Sequence, residues 1–167
     1  MNTPPLRKTT ADVLTPLGWL HGTFQVPQYQ SLLDFLAPNV QVIKFTRVLL
    51  PQEKESIPFV GLQRESVILI EPTQPDEPVE AAGSLGRTTP REVGCLLEVG
   101  MLRGTLEVLV NVRVSDYLRQ QPGFVVLRRC VLTPYGEAAG SAQARRISTA
   151  VVNLARVVGV SEWQGRP

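Results

Sequence analysis

Residues 19–26, Trp19-Leu20-His21-Gly22-Thr23-Phe24-Gln25-Val26, return 82 positions later as Met101-Leu102-Arg103-Gly104-Thr105-Leu106-Glu107-Val108. The echo continues on both sides. Asp34-Phe35-Leu36 is matched by Asp116-Tyr117-Leu118, and Leu14 and Gly18 by Leu96 and Gly100. Six of the eighteen positions from 19 to 36 are identical. Substitutions keep apolar character at the apolar positions and vary freely between them, as two copies of one fold do. Further on, reading one inserted residue aligns Ile43, Val48, Leu49 and Pro51 with Val126, Val131, Leu132 and Pro134. A longer loop then moves the offset to 90, where Leu62, Val67 and Ile70 meet Val152, Val157 and Val160.

Within each copy the order reads strand, turn, strand, short helix, strand, loop, strand, strand. Gly18 and Gly100 turn one strand into the next. Leu32, Phe35 and Leu36 stand at i, i+3 and i+4, which gives one apolar face on a turn or two of helix, and Val114, Tyr117 and Leu118 repeat that spacing. Runs rich in Val, Ile, Leu and Phe follow Pro38-Asn39 and Pro122-Gly123, as strands require. Short strands at this density predict a mainly β chain of two tandem small β-barrel repeats of the SH3/Sm type, each with one short helix. The expected boundaries are a flexible N-terminus over residues 1–11, the first repeat over 12–71, a Pro-rich linker over 72–92, the second repeat over 93–163, and a tail over 164–167. At about 60 residues each copy is near the lower limit for independent stability, so the copies are expected to pack on one another.

These elements resemble the Sm-like (LSm) small barrels: apolar alternation, Gly18 and Gly22, Asp34-Phe35-Leu36 before a strand, and Leu62-Gln63-Arg64 before Val67-Ile68-Leu69-Ile70. The chain also resembles bacterial domains of unassigned role with a G-T-[LF]-x-V stretch followed by S-x-x-D-F-L. RNA-binding Sm proteins carry an Asp-x-x-(apolar)-Asn run and an Arg-Gly pair. Here Ala37 and Pro38 follow where the Asn belongs, Arg119 and Gln120 follow Asp116, and neither Gln63-Arg64-Glu65 nor Asn153-Leu154-Ala155 contains Arg-Gly. The resemblance therefore implies the barrel without the usual RNA pocket.

Charge is distributed unevenly. Residues 1–92 hold eight basic and ten acidic side chains, whereas residues 93–167 hold nine arginines against five acids. A nucleic-acid face would need such arginines to converge near stacking aromatics. Arg145-Arg146, on the loop longer in the second copy, forms the best patch, with Arg128, Arg113 and Tyr135 as further partner-binding candidates. Arg128 and Arg129 are successive strand residues, expected on opposite faces. Cys95 and Cys130 have no CxxC spacing and read as buried, reduced thiols. No apolar leader and no run of about 18 apolar residues occurs, which points to a cytoplasmic protein without a membrane span.

The sequence offers no catalytic, cofactor or metal set. His21 is the only histidine and is replaced by Arg103 in the other copy, so it reads as a solvated strand residue with no nucleophile to serve. Transition-metal binding needs several converging ligands. Gly83-Ser84-Leu85-Gly86-Arg87-Thr88 lacks the spacing and lysine of a phosphate loop. Gly22, Gly104, Asp34 and Asp116 read as structural positions of the repeat, the carboxylates accepting local backbone N–H groups. The expected function is a non-enzymatic accessory or scaffolding subunit. Its partner is a larger protein complex, in the cytoplasm or at the cytoplasmic face of a membrane complex, met through loops and edge strands. The alternative is an Sm-like binder of RNA or single-stranded nucleic acid that uses the basic second repeat.

Overall fold

The structure is a computed structural model that describes residues 3–37, 39–81, 86–136 and 143–163. Its first half comprises β1 (Leu6–Thr15), β2 (Gly18–Pro27), α1 (Leu32–Phe35), β3 (Val42–Leu49), β4 (Ile57–Gln63), a 3-10 turn (Arg64–Ser66) and β5 (Leu69–Pro72). The second comprises β6 (Thr88–Leu97), β7 (Gly100–Leu109), α2 (Val114–Arg119), β8 (Phe124–Pro134), β9 (Arg145–Asn153), a 3-10 turn (Leu154–Arg156) and β10 (Val157–Trp163). The order of elements is the same in both halves.

The chain is mainly β, and its strands form one antiparallel ten-stranded sheet in the order β10-β6-β7-β8-β9-β5-β1-β2-β3-β4. The strands of the two expected barrel repeats thus belong to a single sheet that is not closed. Among the described residues β4 does not return to β5; the second half's β9 takes that place, pairing Leu69 with Val152 and Ile70 with Val151. The halves are thus joined edge to edge, and the sheet stays open at β4 and β10.

Local chemistry explains the hairpins and bends. Thr15 Oγ1 donates to the Gly18 carbonyl at 3.0 Å and accepts from Leu17 N–H at 3.2 Å, and Gly18 (φ +104°) occupies a conformation open to glycine. Where β2 meets β3 the register shifts between the pairs His21–Leu49 and Thr23–Thr46, and where β7 meets β8 between Arg103–Val131 and Thr105–Arg128. Arg47 and Arg129, both at φ +52°, are the bulged residues. Both bulges lie at the offset of 82, so the inserted residue inferred from sequence is not there: Leu49 corresponds to Val131, not Leu132. Both halves carry the extra residue as a bulge, and a one-residue slip would have exchanged the faces of the strand. The offset of 90 does hold later, because Ile43 pairs with Leu62 as Val125 pairs with Val152.

Two boundary expectations are also corrected. β1 begins at Leu6 and pairs with β2 along its whole length, so residues 6–11 are strand and not tail. Thr9 and Ala11, both fully buried, continue the inward alternation of Val13 without looking strongly apolar. The segment after β5 packs on the first half: Leu32 and Leu33 N–H bond the carbonyls of Pro78 and Val79, and Val79 is buried. Glu77 accepts from Arg7 Nε and Nη2 at 3.1 and 2.8 Å and from the Thr9 hydroxyl at 2.9 Å. The end of the expected linker is strand as well, since β6 starts at Thr88. The tail over 164–167, and residues 83–85 of the glycine-rich stretch, lie outside the described residues.

The core has two clusters, each drawing on both halves. Phe124, Val126 and Val151 pack into the cluster around Phe24, Phe45 and Leu32. Leu14, Ile68 and Leu69 pack into the one around Leu97, Leu102 and Leu127. Neither half is closed without the other.

Candidate functional site

The residues singled out by sequence do not converge. Arg145, at the start of β9, is turned inward across the joint. Its Nη2 donates to Glu71 Oε2 at 2.5 Å and to Asp12 Oδ2 at 2.8 Å, and its guanidinium lies 3.8 Å from the centre of the Trp19 ring. Burial works against the charge, but the hydrogen bonds and charges of Glu71 and Asp12 outweigh it and raise the Arg145 pKa. Asp12 also meets His21 Nδ1 at 2.6 Å, so the lone histidine belongs to this cluster. Arg128 donates to Thr149 Oγ1 at 3.1 Å and Glu80 Oε2 at 3.2 Å. Arg146, next to Arg145, stands exposed opposite Val131. Arg113 occupies the N-cap of α2, and Tyr135 is half exposed beyond the end of β8. Arg128 and Arg129 are both exposed, because the bulge interrupts the alternation expected of them.

The four shared positions behave differently in the two halves. Asp34 Oδ2 accepts from Ser31 N–H and from the Ser31 hydroxyl, while Ser31 Oγ accepts from Asp34 N–H, a reciprocal cap on α1. Asp116 has no such cap to make, since Arg113 replaces the serine, and it faces Arg119 at 3.7 Å. A Cβ on Gly22 would lie 2.7 Å from the Phe45 ring, whereas one on Gly104 would lie 2.7 Å from Cys130 Sγ and 3.2 Å from the Arg128 carbonyl oxygen. Both glycines admit a close neighbour from the facing strand.

Sequence reasoning missed Asn153. It ends β9 and is buried, and its Nδ2 donates to the carbonyls of Arg64 at 3.2 Å and Val67 at 2.9 Å in the other half, while its Oδ1 accepts from Ala155 N–H at 3.1 Å. Its backbone N–H bonds the Ile68 carbonyl. The signal available was a single amide closing the apolar run Ala150-Val151-Val152. Arg64 completes the joint, its guanidinium 4.9 Å from the centre of the Phe124 ring.

Beyond the joint, both edges of the sheet expose apolar side chains. β4 exposes Ile57 and Phe59, and Val42 stands exposed at the start of β3 beside it; β10 exposes Val158, Val160 and Trp163. The Trp163 ring carries the Arg103 guanidinium at 4.2 Å. Among the described residues no three His, Cys, Asp or Glu side chains cluster as metal ligands, and no helix is long and apolar enough to cross a membrane. Cys95 and Cys130 are both buried and unbridged. No protein-family model, no curated protein and no solved structure matches this chain.

Proposed function

We propose that the chain is a non-enzymatic accessory or scaffolding protein that docks on a larger protein assembly through the edges of its sheet. In this reading the halves descend from one small, strongly bent unit of the Sm/SH3 type. The observation that carries it is the pair of unpaired edges, bordered by exposed Phe59 and Val42 at one end and Val158 and Trp163 at the other. An open edge presents backbone donors and acceptors to an incoming strand, and apolar side chains beside it add affinity. The charged groups at the joint, by contrast, are engaged within the chain: His21, Asp12, Glu71 and Arg145 brace one another, and Arg128 is held by Glu80.

Gentle affinity capture of the full chain from its own host, compared between the wild type and Phe59→Lys, tests this. The expected result is a stoichiometric partner identified by mass spectrometry and lost with Phe59→Lys. A chain that retrieves nothing in a Phe59-dependent way refutes docking at that edge. The nucleic-acid alternative draws support from one feature, the Arg103–Trp163 stack in the same strand row as Arg146. It predicts an RNA or single-stranded DNA shift that weakens steeply with salt and with Arg146→Glu; no shift at low salt excludes it.

A further inference from the structure

We infer that the partner of each free edge is a second copy of this chain, added head to tail so that β4 of one copy pairs with β10 of the next. This rests on the edge-docking reading above and names its occupant. The internal joint supplies the template. There, β9 of the second half lies on β5 of the first, with Val152 opposite Leu69 and Val151 opposite Ile70. β4 corresponds to β9 and β10 to β5 at the offset of 90, so a second copy would place Leu62 opposite Gly159 and Gly61 opposite Val160.

Side chains that the internal joint buries stand exposed at the two ends. Ile68 and Ile70 are 0% exposed, whereas the corresponding Val158 and Val160 are 79% and 36% exposed. Phe124 is 4% exposed, and the corresponding Val42 is 52% exposed. Asn153 is buried, while the corresponding amide, Gln63, is exposed. An apolar set that is core in one joint and open to solvent in its counterpart is an unfinished joint.

The backbone is also ready. Arg64 N–H bonds the Gln41 carbonyl on the β3 side, so by alternation Gln63 and Gly61 direct their N–H groups away from β3 and outward. Pro58 lies on the inward alternation, opposite the bulged Arg47, and so removes no outward donor.

Charge selects the mate. In the internal joint a base on β9, Arg145, meets the acids Asp12 and Glu71. At the open ends the signs are reversed. The residue corresponding to Arg145 is the exposed Glu55, and Gly94 and Ser161 replace the two acids, with Arg103 held over Trp163 beside them. Opposite charges thus face each other in both joints, and an exchange of partners between the joints would oppose like charges. Because the two surfaces differ, the contact is heterologous, and repetition gives a closed ring or a filament.

Sedimentation of the full chain from micromolar to about 1 mM, the weakest affinity of interest here, tests the inference. The mass is expected to rise with concentration in multiples of 18.4 kDa. Val158→Asp, at a side chain already in solvent, should weaken assembly at least tenfold while leaving circular dichroism and melting unchanged. Glu55→Arg and Arg103→Glu should each assemble poorly alone and recover when mixed. A single-chain mass at every concentration, or an assembly indifferent to Val158→Asp, overturns the inference. A single-chain mass combined with Phe59-dependent capture of a different protein sinks self-assembly and leaves edge docking standing; self-assembly that captures nothing else does the reverse to the accessory role.

Discussion

Replacing Asn153 by Ala should weaken the whole protein, because its buried amide bonds one half to the other at the joint. The side chain is 1% exposed and makes three hydrogen bonds, two of them to carbonyls of the other half. At about 1 kcal/mol net per bond, with a further penalty for the carbonyl of the fully buried Val67, the loss is about 2–4 kcal/mol. That is a large share of the 5–15 kcal/mol typical of a domain. Asn153→Asp keeps the shape but sets a carboxylate oxygen against those two carbonyls, so it should cost more than Ala. Urea unfolding followed by tryptophan fluorescence is the assay, since Trp19 reports on the first half and Trp163 on the second. Because each core cluster draws on both halves, both tryptophans should report the lowered midpoint together. An Asn153→Ala protein within about 0.5 kcal/mol of wild type, inside the range of ordinary surface substitutions, would falsify the claim that this amide carries the joint.

Three further perturbations follow from the packing. Glu77→Ala removes the shared acceptor of Arg7 and Thr9 and should cost about 2–3 kcal/mol, as loss of a charge-assisted acceptor does; faster hydrogen exchange at Leu32 and Leu33, whose N–H groups bond that segment, is the accompanying sign, and unchanged exchange would count against it. Gly22→Ala drives a methyl to 2.7 Å from the Phe45 ring and should cost about 1–3 kcal/mol, much of it recovered in the double variant with Phe45→Leu; strictly additive effects would show that the ring is not the obstacle. Burial pushes the Cys95 thiol up to about 11 and Cys130 up to about 12. The unfolded chain therefore ionises first as the pH rises through about 9, and stability intact below that value falls by up to about 1.4 kcal/mol per pH unit for each thiol until the folded thiols ionise too. Replacing both cysteines by Ala should flatten the urea midpoint between about pH 9 and 11, and an unchanged slope assigns the loss to other groups.

Strand periodicity, the turn glycines and the matching of the two halves were legible along the chain because they depend on neighbours close in sequence. Alternation buries Phe24 and Val26, and the Ser31–Asp34 pair caps its own helix. Residues 6–11 were misread because Thr9 and Ala11 fill inward positions without a strong apolar signature. The bulges at Arg47 and Arg129 escaped because a left-handed backbone at arginine leaves no mark in composition.

Which strand closes which edge was decided only in three dimensions. β5 would satisfy the same alternation against β4 as against β9, so the apolar pattern alone does not choose between a closed half and a shared sheet. The choice rests on contacts remote in sequence: Asn153 reaching Val67, and Arg145 reaching Asp12 and Glu71. Those contacts also turned the arginine that looked most available to a partner into an internal brace. Desolvating a guanidinium against two carboxylates is favourable only where folding brings all three together.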